Sequence, residues 1–85
     1  MTGPRLIVLT PAQRTVLGEL TRDGASNTEI AARLNIGAGT VRNHLHAVHR
    51  ATGITSRTAM VVALLRRQFV VRTVGKARRT RRENL

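Results

Sequence analysis

The stretch GAGTVRNHLHAVHR, residues 37–50, places hydrogen-bonding side chains at helical spacing. At about 100° per residue, Arg42, Asn43 and His46 lie together on one side of a helix. His49 and Arg50 follow on that side. The opposite sector is mostly apolar and consists of Val41, Leu45, Val48 and Thr52. Such a helix packs against a core by one side and suits the major groove of B-DNA by the other, because Arg bonds guanine and Asn bonds adenine there.

The charge of the chain favours a polyanionic partner. Fifteen Lys and Arg residues against four Asp and Glu residues give a net charge of +11. Residues 66–85 hold eight of these cations and one acid, a net charge of +7, whereas residues 1–65 carry only +4. Fourteen of the fifteen cations are Arg, whose planar guanidinium matches phosphate and guanine edges.

Composition argues against several other classes of protein. The 85 residues contain no Cys, which excludes disulfides and thiolate metal sites. The longest apolar run, AMVVALL at 59–65, is too short to span a bilayer, and the N-terminus lacks the pattern of a signal peptide. We therefore expect a soluble intracellular protein with no membrane partner.

The elements that position the polar stretch are marked by their capping residues. TPAQ at 10–13 and SNTE at 26–29 predict two helix starts, and Gly24 ends the first helix. A third helix is predicted from about Ala38 to Thr52, and a fourth over roughly 57–68. Four short helices predict an all-α domain. The β-branched segments 5–10 and 68–74 either pair as strands or the second prolongs the fourth helix, and the sequence leaves both open.

The neighbourhood of the third helix predicts a helix-turn-helix. A capped helix that ends at Leu34, a three-residue break and an amphipathic helix have the proportions of that motif. The amino end of the second helix, at Ser26 and Asn27, directs backbone N–H groups toward a phosphate. Any solvated helix face is polar as well, but this arrangement of elements favours DNA binding.

Four linked motifs, LTPAQ, SNTEIAARL, GTVRNHL and GITSRT, resemble the DNA-binding domain of the LuxR/FixJ (GerE-type) bacterial transcription regulators over about residues 9–65. The resemblance implies a four-helix domain whose third helix enters the major groove, and a dimer that forms through the fourth helix. It implies a sequence-specific regulator of transcription on double-stranded DNA, cytoplasmic and nucleoid-associated. No enzymatic activity, cofactor or metal site is expected.

The resemblance also implies roles for individual residues. Base contacts are expected from Arg42, Asn43 and His46, with Val41 at the groove edge although the helical wheel places it in the core. Phosphate contacts are expected from the second, third and fourth helices, at Ser26, Asn27, Thr40, His49, Arg50 and Arg57.

The third helix departs from the family pattern at its start. Gly37, Ala38 and Gly39 stand where a Ser–Glu–Gly-like sequence is commoner, so the cap has no side-chain acceptor. An interior Gly costs about 1 kcal/mol relative to Ala. We predict that the first turn of this helix frays in the free protein and becomes ordered on DNA.

The fourth helix is apolar on more than one side. If Ala59, Val62 and Leu65 face the core, then Met60, Val61 and Leu64 form an exposed patch, which predicts a homodimer interface. Cover of this patch by the N-terminal segment is the alternative.

Residues 1–8 are predicted to be an N-terminal extension, residues 9–68 the helix-turn-helix domain, and residues 69–85 a basic tail. The tail is expected to follow phosphates or to enter a minor groove through Lys76, Arg78, Arg79, Arg81 and Arg82, and a solvated tail is the alternative. Neither a receiver nor a sensor domain precedes the LTP motif, so we expect a short regulator or an isolated domain.

Other functions are weighed against this interpretation. The three His residues of HLHAVH diverge on a helix and lack Cys or a nearby carboxylate, which argues against a metal site. Binding of single-stranded RNA is disfavoured by the single aromatic residue, Phe69. The remaining alternative is a protein-interaction module that acts on RNA polymerase or on another regulator.

Overall fold

The computed structural model describes residues 3–75. The elements follow in the order β1 (Arg5–Leu9), α1 (Pro11–Asp23), α2 (Asn27–Leu34), α3 (Ala38–Thr52), α4 (Arg57–Leu65) and β2 (Phe69–Thr73). The four predicted helices are present. The prediction of an all-α domain is wrong in one respect, since two short strands accompany them.

Side-chain caps begin the first two helices, as the sequence predicts. The Thr10 hydroxyl accepts a hydrogen bond from the Gln13 N–H at 3.2 Å, and the Gln13 side chain accepts from the Thr10 N–H at 3.0 Å. Ser26 and Glu29 form the equivalent pair at 3.1 and 2.8 Å. Gly24 ends α1 in the left-handed region, at φ 70°.

The two strands form a parallel pair in which Arg5 lies opposite Phe69 and Leu9 opposite Thr73. Parallel strands need a long crossover, and the four helices together supply it. Helix α4 cannot continue into β2 because Arg67 has a left-handed backbone, at φ 59°. Residues 69–73 of the predicted basic tail are therefore a strand of the sheet.

One hydrophobic core lies between the helices and the inner face of the sheet. The largest fully buried side chains come from five of the six elements and are Leu9, Val16, Leu20, Ile30, Val41, Val48, Thr52 and Met60. Phe69 and Val71 of β2 pack against this core, so the sheet is part of the folded domain.

The predicted orientation of α4 is wrong. Met60 is fully buried and Ala63 nearly so, while Val61 and Leu64 are half-buried and pack against the core. The exposed large apolar side chains of α4 are instead Val62 and Leu65. The helix is apolar all round, so its sequence carried no signal for its orientation. Met60 is therefore not part of an exposed dimer interface.

Candidate DNA-binding surface

The turn between α2 and α3 fixes how the two helices meet. Asn35 ends α2 with a left-handed backbone at φ 57°, and the Ile36 N–H donates to the Ala31 carbonyl at 3.0 Å. Helix α3 begins at once after Gly37, which has no side chain to cap it. The helix-turn-helix predicted from the sequence is thus present, with a three-residue connection.

One side of α3 is held in the core. Val41, Val48 and Thr52 are fully buried, and Leu45 is nearly so. Val41 was expected at the groove edge, and this expectation is wrong for its side chain, which packs inside the domain together with Leu45 and Val48. Val41 is buried because it lies in the apolar sector of the helix, which packs against the core.

The other side of α3 carries the predicted base-reading residues. Arg42, Asn43 and His46 are all exposed. On a helix, Arg42 and His46 lie about 40° apart and Asn43 about 60° from His46, so the three form one row on the side away from the buried residues. Within residues 3–75, none of the three side chains hydrogen-bonds to another protein group. We call this row the recognition face.

His49 lies at the edge of the recognition face and is half-buried. Its Nδ1 is 2.8 Å from the carbonyl oxygen of Ile54. A carbonyl only accepts, so Nδ1 carries the hydrogen and Nε2 of the neutral ring is an acceptor. His49 would therefore donate to a phosphate through Nε2 only as an imidazolium.

Arg57 was expected to contact phosphate, and the structure gives it a further role that sequence reasoning missed. Its guanidinium donates to the Asn27 side-chain oxygen and to the Ala25 carbonyl, both at 2.8 Å. It thereby links the start of α4 to the start of α2, across 30 positions of sequence. Two of its five N–H groups are used, which leaves three for another acceptor.

The remaining phosphate candidates surround α3. Ser26 caps α2 and is exposed, as are Thr40 and Arg50 on α3. Lys76, Arg78, Arg79, Arg81 and Arg82, the tail residues expected to contact DNA, lie outside the described residues.

Carboxylates are absent from α3, and those described elsewhere are already bonded. Glu29 accepts from the Ser26 N–H, and Glu19 and Asp23 accept from Arg33 at 3.1 and 2.7 Å. The hydrogen bond from Arg33 holds the pKa of Asp23 below its ordinary value, and its bonds to Asp23 and Glu19 raise the pKa of Arg33. The recognition face therefore lies on a helix with cations and no anions.

Other kinds of site find little support in the described part. Among residues 3–75, no three His, Asp or Glu side chains form a group that would hold a metal ion. His44 is half-buried and lines a shallow cavity of about 250 Å³ with Val16, Leu34 and Ile36. Within the same range, no helix is long and apolar enough to cross a bilayer.

Comparison with known proteins decides the family. The model of the family "Bacterial regulatory proteins, luxR family" matches residues 7–64, well over half of the chain. The chain belongs to the luxR family. The resemblance read from the four motifs is therefore confirmed, and the matched residues include all of the helix-turn-helix but not β2. The proteins of this family are transcription regulators, so DNA binding and transcription regulation are the function of the class.

One relative is a monoamine regulon transcriptional regulator of Klebsiella aerogenes, to which the chain is 39% identical over 54 residues. The match covers 64% of this chain and 23% of the relative, so the chain spans about a quarter of that protein. No solved structure matches the chain.

Proposed function

We propose that this luxR-family chain binds double-stranded DNA sequence-specifically, with α3 in the major groove and the recognition face directed at the base edges. The observation that carries the proposal is the exposed row of Arg42, Asn43 and His46 on a helix whose opposite side is buried. A side chain that has no protein partner and is held by a buried helix is free to bond a base.

The roles of the three residues follow from their donors and acceptors. The planar guanidinium of Arg42 bonds O6 and N7 of guanine together, and the Asn43 amide bonds N6 and N7 of adenine. His46 accepts or donates one further hydrogen bond according to its tautomer. Each good bidentate contact discriminates against the wrong base by about 1–3 kcal/mol.

Phosphate contacts hold the helix in this position. Ser26 and Asn27 lie at the amino end of α2, where unpaired backbone N–H groups favour an anion. Arg57 already bonds Asn27 and keeps three donors for the same phosphate. Thr40 and Arg50 are exposed on α3, one beyond each end of the recognition face along the helix.

The test is a selection of binding sites from random duplexes, followed by titration of the selected site. Arg42→Ala and Asn43→Ala should each weaken binding to that site about 10-fold or more and relax the choice of one base. Arg14→Ala is the matched control, because Arg14 is an exposed cation on α1, off the helix-turn-helix. A protein-interaction module would instead tolerate the changes at positions 42 and 43.

The basic tail adds contacts that do not depend on sequence. Residues 76–82 include five cations. Each phosphate that a cation neutralises makes the slope of log K against log salt concentration more negative by about 0.9. A chain that ends at Gly75 should bind all duplexes more weakly, with a flatter salt dependence. An unchanged slope would contradict the tail contacts.

We further propose that the protein binds DNA as a homodimer. The selected sites should then be two-fold symmetric, with half-sites about one helical turn apart. Within the described part, Val62 and Leu65 are the exposed large apolar side chains of α4, in place of the predicted Met60. Contact with RNA polymerase stays a prediction from the sequence.

A further inference from the structure

The outer face of the sheet is apolar, and no element within residues 3–75 covers it. Side chains alternate along both strands, and Ile7, Leu9, Phe69 and Val71 face the core. The alternate positions Leu6, Val8, Val70 and Val74 are 56%, 47%, 50% and 40% exposed. Leu6 lies directly opposite Val70 in the register, and Val8 opposite the exposed Arg72. We call these five residues, of which Val74 lies just past the end of β2, the outer sheet face.

Parallel strands are normally covered on both faces, and their sequences are then apolar on both sides. Here the helices cover the inner face of the sheet. The outer face is exposed, although its side chains are mostly apolar, as on a covered face. Single exposed apolar residues are ordinary, but a contiguous group of them marks a binding surface. Of the outer sheet face, only Val8 lies within the residues that match the luxR family, and none of its residues belongs to α2 or α3, the helix-turn-helix.

The dimensions of the outer sheet face suit one helix. Two strands about 4.8 Å apart make a ribbon roughly as wide as the 10 Å diameter of a helix. Val70 and Val74 are four positions apart, about 13 Å along a strand, which is the rise of about nine helical residues.

Charge identifies the chemistry of that helix. Arg72 lies between Val70 and Val74 along the face, and the three carboxylates described in residues 3–75 are bonded to other groups. A helix that covers Val8 and Val70 would lie beside the exposed Arg72 guanidinium, and a carboxylate is the strongest acceptor that it could place there. A second copy of the chain would bring Arg72 and a further charge of +11 against this face.

We propose that the outer sheet face is a docking site for an amphipathic helix that carries acidic residues beside its apolar stripe. This proposal goes beyond DNA binding and does not rest on it.

The experiment uses a designed helical peptide of about 14 residues with Leu at positions i, i+3, i+4 and i+7 and Glu elsewhere. The full chain is titrated with it while the amide resonances are followed by NMR. The control peptide has Lys in place of Glu. We expect the Glu peptide to shift resonances of β1 and β2 rather than those of the recognition face, and the Lys peptide to shift neither.

The decisive variant is Leu6→Thr with Val70→Thr, which places β-branched residues at both strand positions and removes the apolar surface. It should weaken binding of the Glu peptide about 10-fold or more, because the docked helix would no longer bury these two apolar side chains. Val62→Thr with Leu65→Thr is the matched control on α4 and should leave binding unchanged. Thermal unfolding of both variants confirms that the fold persists.

Three results would overturn the proposal. The first is binding of the Glu peptide that the Leu6 and Val70 changes do not alter. The second is the absence of peptide binding; binding to mixed phosphatidylcholine–phosphatidylglycerol vesicles that these changes abolish would then assign the face to a membrane. The third is a concentration-dependent dimer of the wild-type chain, seen by sedimentation, that the same changes disrupt.

Discussion

The two ends of α3 are held in very different ways. At the amino end, Gly37 provides no side-chain cap, Gly39 follows within the first turn, and Thr40 is exposed. At the carboxyl end, the buried Thr52 hydroxyl donates to the Val48 carbonyl at 3.0 Å and accepts from the Ile54 N–H at 3.2 Å. The carboxyl end of the helix therefore has side-chain hydrogen bonds that the amino end lacks.

Two further bonds strengthen the carboxyl end. The His49 ring donates to the Ile54 carbonyl, and Arg5 of β1 donates to the Thr52 carbonyl at 3.3 Å. The Arg5 guanidinium also lies 5.3 Å from the centre of the Phe69 ring. Both strands thus contribute to holding the carboxyl end of α3, and we expect the first turn to be the adjustable part.

The largest expected effect is at Thr52. Thr52→Val keeps the shape of the side chain but leaves the Ile54 N–H without its acceptor. Such a change costs about 1–3 kcal/mol, measured as the free energy of unfolding in urea. Thr21→Val is the matched control, because the Thr21 hydroxyl also donates to a carbonyl, at 3.1 Å, but is only half-buried. Equal losses of unfolding free energy in the two variants would show that the Thr52 hydroxyl stabilises the protein no more than the half-buried Thr21 hydroxyl does.

The next effect is at Gly39. A Cβ at this position meets no atom within 4 Å, so Gly39→Ala should stabilise the helix by about 0.5–1 kcal/mol. Because the first turn then needs less ordering on DNA, binding should tighten up to about fivefold. Gly18→Ala in α1 has equally open surroundings and should stabilise the protein without changing DNA binding.

Amide hydrogen exchange checks the same idea in the free wild-type protein. The Val41 N–H is bonded to the Gly37 carbonyl at 3.1 Å, so it reports whether the first turn is formed. We expect it to exchange faster than the Leu45 N–H, and Gly39→Ala to slow it. Exchange at Val41 as slow as at Leu45 would contradict a fraying first turn.

The smallest effect is at Arg5. Arg5→Ala removes a cation from the end of a helix and from the face of an aromatic ring, and should cost about 0.5–1 kcal/mol of unfolding free energy. Arg5→Lys keeps the charge and should lower the unfolding free energy by less. An alanine variant as stable as the wild type would show that Arg5 of β1 does not help to hold the carboxyl end of α3.

Sequence reasoning reached the features that depend on neighbouring residues. The capping pairs Thr10–Gln13 and Ser26–Glu29 and the bounds of α3 were read correctly, because each depends on a few consecutive side chains. The exposure of Arg42, Asn43 and His46 followed from helical periodicity in the same way.

Where distant segments meet, it left the outcome open or was wrong. The pairing of β1 with β2 joins residues more than 60 positions apart, and the bond from Arg57 to Asn27 spans 30. The orientation of α4 depends on which side the sheet and α1 cover, and an all-apolar helix gives no sign of it. Met60 was therefore assigned to the surface although it is fully buried.

The central claim is that the recognition face contacts base edges, and one substitution in the DNA tests it directly. Once the preferred site is selected, the guanine assigned to Arg42 is replaced by 7-deazaguanine, which lacks the N7 acceptor but keeps base pairing. Binding of the wild-type protein should weaken about 5-fold to 10-fold, while Arg42→Ala, which has no guanidinium there, should not distinguish the two duplexes. Equal weakening of both proteins, or no change in either, would contradict a contact between Arg42 and guanine in the major groove.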